Sequence, residues 1–216
     1  LKCKNCPIGS RGGPGGTGPA YSKNPIDLKK GTVAEEEIDL SLPGPTFGWE
    51  MSRSYSSGGV GASALGNLWL SAGADLYLLQ SGSNISLLVN ANSQQVFTGS
   101  GSPPTYTAPS DSTLKLVRDA GNLEYVLTDT TNNERYTFHD FTVTATVERG
   151  KLKARSSLQW NSQGNFGLEY YYDAGGKISQ ITTADGQDYT IAYTYSGSAI
   201  SKVEIKNGAT VLQRVE

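Results

Sequence analysis

The side chains with the clearest capacity for chemistry are one histidine, two cysteines and a short acidic run. His139 lies between Phe138 and Asp140. A general base needs its partners gathered in space, and adjacency along a strand sends neighbouring side chains to opposite faces. His139 is therefore expected to be a strand residue without a catalytic role. Cys3-Lys4-Asn5-Cys6 holds the only two cysteines. Tetrahedral zinc takes four ligands, usually from a second such pair, and a redox pair sits at a helix start beside a parallel sheet. Neither context is present, so a disulfide between Cys3 and Cys6, or bridges to other sequence or another chain, is expected. Glu35-Glu36-Glu37 with Asp39 is acidic enough for a hard cation, but calcium loops mix Asp, Asn and Gly at fixed spacing, and this run has the pattern of a solvated strand face. Asp129–Asn133 and Asp185-Gly186-Gln187-Asp188 have a better loop composition, and both are ordinary turns. No Gly-rich phosphate loop opens a helix and no Gly-x-Ser-x-Gly elbow is present. No enzyme, cofactor or metal site is expected.

Composition points the same way. With 18 basic and 20 acidic residues the net charge is −2, which leaves no electrostatic footprint for nucleic acid. No run of about 18 apolar residues could cross a bilayer as a helix, so membrane insertion is not expected. Gly is abundant at 26 and Tyr reaches 12, while no long window carries apolar residues at helical spacing. The chain is predicted to be all-β, an antiparallel meander of hairpins forming a curled or spiralling sheet. It opens on Leu1 and stops at Glu216 with a strand pattern still running, so it is expected to be a piece of something longer.

The stretch that organises this prediction is 164–205, where Gly164, Tyr171, Ile178 and Ile181 recur as Gly186, Tyr193, Ile200 and Val203, each 22 residues on. A repeat of this length is one supersecondary unit that buries its apolar face only by stacking on neighbours. Phe166, Leu168, Tyr170 and Tyr172 alternate with other residues, as do Tyr189, Ile191, Tyr193 and Tyr195, the period-2 mark of a half-buried strand. Asp173-Ala174-Gly175-Gly176 and Asp185-Gly186 interrupt the alternation as turns. Tyr170, Tyr171 and Tyr172 must point to both faces, and cross-strand aromatic packing is their expected role. Exposed tyrosine rows that stack on sugar rings are the alternative.

Tyr172-Asp173-Ala174-Gly175-Gly176-Lys177-Ile178, followed by Ile181, Thr183, Asp185-Gly186 and Tyr193-Thr194-Tyr195, resembles the YD repeat of the rearrangement-hotspot (RHS) family. The second copy departs from it with Tyr195-Ser196, one residue out of register. Upstream, Asn24-Pro25-Ile26, Glu36-Glu37-Ile38-Asp39, Leu42-Pro43-Gly44 and Arg53-Ser54-Tyr55-Ser56-Ser57 are similar to the module that precedes the repeats in many RHS proteins. Leu65-Gly66-Asn67-Leu68-Trp69 has the residue types of the family's next element at altered spacing. The resemblance implies a β-rich module leading into a spiralling sheet of hairpins, in proteins that are secreted or lie at the cell surface. In polymorphic-toxin members such sheets build a shell around a toxic domain.

Three regions follow: a flexible Cys/Gly/Pro-rich arm over 1–23, a β module over 24–119, and YD-like hairpins over 120–216. In the module, Phe47, Trp49, Met51 and Tyr55 are expected on one strand face, broken by Arg53. Strands are predicted at Leu76–Gln80, Ile85–Val89, Gln94–Thr98, Thr113–Val117 and Leu123–Thr128, as one meander, with Gly99–Pro109 the most loop-like internal stretch. Glu134–Phe138 has the character of a degenerate repeat strand, and Gly150-Lys151-Leu152 matches Gly176-Lys177-Ile178. The expected role is structural: self-assembly through sheet edges, with the rest of its own polypeptide beyond Glu216 or with copies of itself. Glycan binding through exposed tyrosines is the alternative.

Overall fold

The computed structural model describes residues 26–27, 32–44, 48–58, 62–63, 66–67, 69–71, 76–90, 93–157, 167–183 and 188–216. The arm with Cys3 and Cys6 lies outside the described residues, as do Gly164 and Gly186 of the repeat. Within them the chain is antiparallel β with one short 3-10 turn at Thr146–Glu148.

Strands β1 (Ile26–Asp27), β2 (Thr32–Leu42) and β3 (Trp49–Ser56) begin the first sheet. A two-stranded ribbon, β4 (Ala62–Ser63) and β5 (Gly66–Asn67), precedes β6 (Trp69–Ser71), which returns to pair with β3. Trp49 and Met51 face the core as alternation predicts, but then the buried face changes to Ser54 and Ser56. The cause is Arg53. Asp39 is bulged out of β2 between Ile38 and Leu40, and it grips Arg53 with both oxygens, Nε at 2.5 Å and Nη2 at 2.8 Å. A bidentate guanidinium–carboxylate pair fixes orientation as well as position, and Tyr55 is left only half-buried.

The second sheet runs in chain order through β7 (Tyr77–Ser81), β8 (Asn84–Asn90), β9 (Ser93–Ser100) and β10 (Thr105–Thr107). Leu78, Ile85, Leu87 and Phe97 fill its inner face. The stretch expected to be a loop, Gly99–Pro109, is instead a hairpin, with Thr105 opposite Ser100 and Tyr106 opposite Gly99. Gly and Ser hide its strand character in the sequence. Gly99 is needed there, because a Cβ would stand 2.0 Å from the Ser83 carbonyl oxygen.

The third sheet has nine strands in strict chain order: β11 (Leu114–Asp119), β12 (Glu124–Asp129), β13 (Glu134–His139), β14 (Leu152–Ser157), β15 (Gly167–Tyr172), β16 (Ile178–Thr183), β17 (Tyr189–Ser196), β18 (Ala199–Asn207) and β19 (Thr210–Val215). Alternation is clean in β12, where Tyr125, Leu127 and Asp129 point inward, and in β13, where Glu134, Tyr136 and Phe138 do. The central meander expected from 75 to 136 therefore divides between two sheets, the break falling between β10 and β11. The Leu78 N–H donates to the Gly150 carbonyl at 2.7 Å, and the Tyr106 and Tyr125 rings meet edge to face at 5.8 Å. Gly150 has φ +72°, and a Cβ on it would lie 2.3 Å from the Leu78 carbonyl oxygen, so only glycine fits this join. One apolar cluster runs from Trp49 through Phe97 and Phe138 to Ile191 and Ile205.

Candidate functional site

His139 closes β13. Its Nδ1 is 3.7 Å from Glu148 Oε2 and its ring meets Tyr172 edge on at 6.4 Å. Burial pushes the imidazole below its ordinary pKa, with Glu148 pulling the other way. Its backbone N–H donates to the Lys151 carbonyl and its own carbonyl accepts from Gly150 N–H. The geometry ties a loop down. Next to it, the Asp140 carboxylate is 1% exposed and accepts from Arg118 Nε at 2.6 Å and from the Thr142 N–H and hydroxyl. Burial raises this carboxyl, but Arg118 and Thr142 together hold it below the usual carboxylate range.

The acidic loop at Asp129–Asn133 is closed in the same manner, while 185–187 of the second acidic loop lie outside the described residues. Asp129 Oδ1 accepts from the Thr131 and Asn132 N–H groups and its Oδ2 from Asn132 Nδ2. Asp119 makes the same three bonds to Gly121 and Asn122, and Asp173 Oδ1 accepts from Gly175 and Lys177 N–H. These carboxylates shape turns. In β2 the side chains of Glu35 and Glu37 are exposed, and among the described residues no cluster of three or more metal-ligating side chains is present.

The strand pairing sharpens the repeat. In β13/β14, Tyr136 faces Arg155, Thr137 faces Ala154, and a bulge precedes Phe138 opposite Leu152. In β15/β16, Tyr170 faces Ile181, Tyr171 faces Gln180, and the bulge precedes Tyr172 opposite Ile178. In β17/β18, Tyr193 faces Val203, Thr194 faces Lys202, and the bulge precedes Tyr195 opposite Ile200. Three hairpins share one register and one bulge. The structural counterpart of Tyr193 is thus Tyr170, not the Tyr171 that a constant 22-residue spacing selects. The reason is the turn: five residues separate Tyr172 from Ile178, and four separate Tyr195 from Ile200. Burial agrees, since Tyr170 and Tyr193 are buried while Tyr171 is 43% exposed and donates to Glu169 at 2.7 Å.

Successive hairpins are clasped by a lysine and a tyrosine. Tyr172 donates its hydroxyl to the Leu152 carbonyl at 2.7 Å, and Tyr195 donates to the Ile178 carbonyl at 2.8 Å, each reaching back to the preceding hairpin. Lys151 reaches forward, its ammonium 4.9 Å from the centre of the Tyr172 ring and bonded to the Gly176 carbonyl. Lys177 repeats this on Tyr195, again at 4.9 Å, and on the Gly197 carbonyl. Gly176 has φ +77°, and a Cβ there would be 2.6 Å from Lys151 Nζ. Ile178, Ile181, Tyr193 and Val203 are buried and Ile200 packs against the core. Of the repeat residues singled out from sequence, Tyr172, Asp173, Gly176, Ile178 and Tyr195 meet at these clasps. The two lysines were visible in the Gly-Lys-Leu and Gly-Lys-Ile match, but their reach was not.

One cluster has no counterpart in the sequence prediction. Glu134 and Arg155 are joined at 2.5 Å with side chains 10% and 13% exposed, and the Tyr136 hydroxyl donates to Glu134. The register places Glu134 where the next hairpins have Leu168 and Ile191, and Arg155 where they have Ile181 and Val203. Burial raises the Tyr136 phenol well above its ordinary value and pushes Tyr170 up to about 12. Burial also works against the Arg155 charge, and Tyr136 and Glu134 outweigh it.

At the far end, β19 pairs with β18 on one side and comes up against β2 without pairing with it. Val211 and Leu212 are 44% and 49% exposed on this edge strand. Among the described residues β1 pairs with the opposite edge of β2 at Thr32 and Val33.

A family model described as a domain of unknown function (DUF6531) matches residues 23–97, about a third of the chain. The match spans the first sheet and reaches into β9, stopping before the nine-stranded sheet of clasped hairpins. No curated protein matches the chain.

Proposed function

We propose that this chain is a non-enzymatic scaffold segment of a secreted or cell-surface RHS/YD-repeat protein, assembling through β-sheet edges or forming the start of a repeat shell. The observation that carries the reading is the row of three hairpins with one register, one bulge position and a recurring Lys–Tyr clasp. Such an array can be extended strand by strand, because each hairpin buries its apolar face on its neighbours. The DUF6531 match supports it, as such domains often sit in RHS-type proteins. Among the described residues no strand pairs with the outer edge of β19, and such an edge is a template for a further strand, from the rest of the polypeptide beyond Glu216 or from a second copy. Tyr125, Tyr136, Tyr170 and Tyr193 turn inward and Tyr172 and Tyr195 bond backbone carbonyls, while Tyr171 is exposed on the outer face of its hairpin, which favours packing over a sugar-stacking row.

Sedimentation velocity over a concentration series tests this. The chain is expected to self-associate, and Val211→Lys with Leu212→Lys, which place charges on the edge, should return it to monomer. A chain that stays monomeric throughout, or associates equally with both lysines in place, would overturn the edge-assembly reading.

A further inference from the structure

Three hairpins with interchangeable registers create a problem that the array must solve. Strand β13 is followed by β14, yet β16 and β18 offer the same ladder: a bulge opposite Leu152, Ile178 or Ile200, with a facing residue three positions on at Arg155, Ile181 or Val203. Backbone hydrogen bonds do not distinguish these partners, and Tyr136, Tyr170 and Tyr193 are alike at the centre. Repeat arrays are prone to mispairing and strand exchange for this reason.

We infer that the buried Glu134–Arg155 pair is a pairing key that makes the first hairpin non-interchangeable with the others. It occupies two interior positions that are aliphatic in both later hairpins, and it is complete only when β13 lies against β14. Placing β13 on β16 or β18 sets the Glu134 carboxylate beside Ile181 or Val203. It also leaves the Arg155 guanidinium against a strand whose matching residue is Leu168 or Ile191. Each such error buries two charges without partners, while correct pairing buries none unpaired. A single polar contact at an otherwise apolar seam fixes register in coiled coils by the same logic. The pair goes beyond the scaffold reading and does not depend on it.

The test traps the wrong pairing during refolding of the full chain, with Cys3 and Cys6 replaced by serine. Thr137→Cys with Gln180→Cys places thiols on β13 and β16. These strands are three ladder spacings apart in the native sheet, about 14 Å, beyond disulfide reach. With Glu134 and Arg155 present the crosslink should be near background. Adding Glu134→Leu and Arg155→Ile, the residue types of the later hairpins, should raise its yield at least tenfold, and the reversed pair Glu134→Arg with Arg155→Glu should restore the low yield. No rise in the aliphatic variant overturns the inference. So does a reversed pair that crosslinks as freely as the aliphatic one, or an aliphatic variant that fails to fold, since the pair would then be support and not a key.

Discussion

Removing one oxygen, Tyr195→Phe, tests whether the clasps hold the hairpins together one by one. The ring stays under Lys177, and the 2.8 Å bond to the Ile178 carbonyl is lost. A hydrogen bond of this kind contributes about 1 kcal/mol net. Among the described strands the third hairpin is joined to the earlier hairpins of its sheet through β16, and Ala199 stands where Lys151 and Lys177 precede the earlier strands. Its local opening should therefore respond in full, while β11 to β13, several strands away, should not respond. At about 1 kcal/mol the open population rises roughly fivefold. Native-state amide exchange read by mass spectrometry should show β17–β19 exchanging about fivefold faster and β11–β13 unchanged. Lys177→Met removes a partly exposed cation–π contact and a carbonyl bond, and should act on the same amides by about 0.5–1 kcal/mol. Uniform acceleration across all nine strands would refute the reasoning, because the sheet would then open as one unit.

Four further outcomes follow from the geometry. Gly176→Ala forces a Cβ into left-handed backbone and against Lys151 Nζ, and should lower stability by about 1–3 kcal/mol in urea denaturation. Leu123 adopts φ +55° with an exposed side chain, so Leu123→Asn should raise the unfolding free energy read by urea denaturation by up to about 1 kcal/mol. Asp140→Asn weakens the Arg118 bond and should cost about 1.5–3 kcal/mol at neutral pH. Because the Asp140 pKa is lowered in the folded state, its stabilisation is present above the unfolded value near 3.9 and is lost as pH falls through the folded pKa, so the stability curves of the wild type and of the Asp140→Asn variant should converge in acid. His139 is lowered as well, by burial, and its linkage has the same sign: the unfolded chain binds the proton more readily, so stability falls as pH drops below about 6.5. His139→Gln should flatten that part of the urea-midpoint profile.

The all-β meander was legible because alternation at Tyr125-Val126-Leu127 and Tyr193-Thr194-Tyr195 is strong and turn residues such as Asp173 and Gly176 punctuate it. What escaped was anything set by pairing across strands. A constant spacing of 22 aligned Tyr171 with Tyr193, and only the ladder shows that a turn shortened by one residue shifts the match to Tyr170. The Asp39 bulge in β2, which brings its carboxylate onto Arg53, leaves no local sign, since a bulge is defined by the partner strand. Glu134 and Arg155 are 21 positions apart, and each alone has the look of an ordinary surface charge. They become a buried pair only when the hairpins are superposed by register. The β9–β10 hairpin was hidden for a different reason, in that Gly99 is required by the close approach of Ser83 and reads in sequence as a loop.

Amide exchange of β19 as a function of protein concentration reads assembly at the edge strand itself. If the chain is a segment that continues its sheet through this edge, the N–H groups of Thr210–Val215 should gain protection as concentration rises, while those of β12 keep the same rate. If β19 exchanges at the same rate at every concentration, the edge recruits no second copy and the assembly account is contradicted.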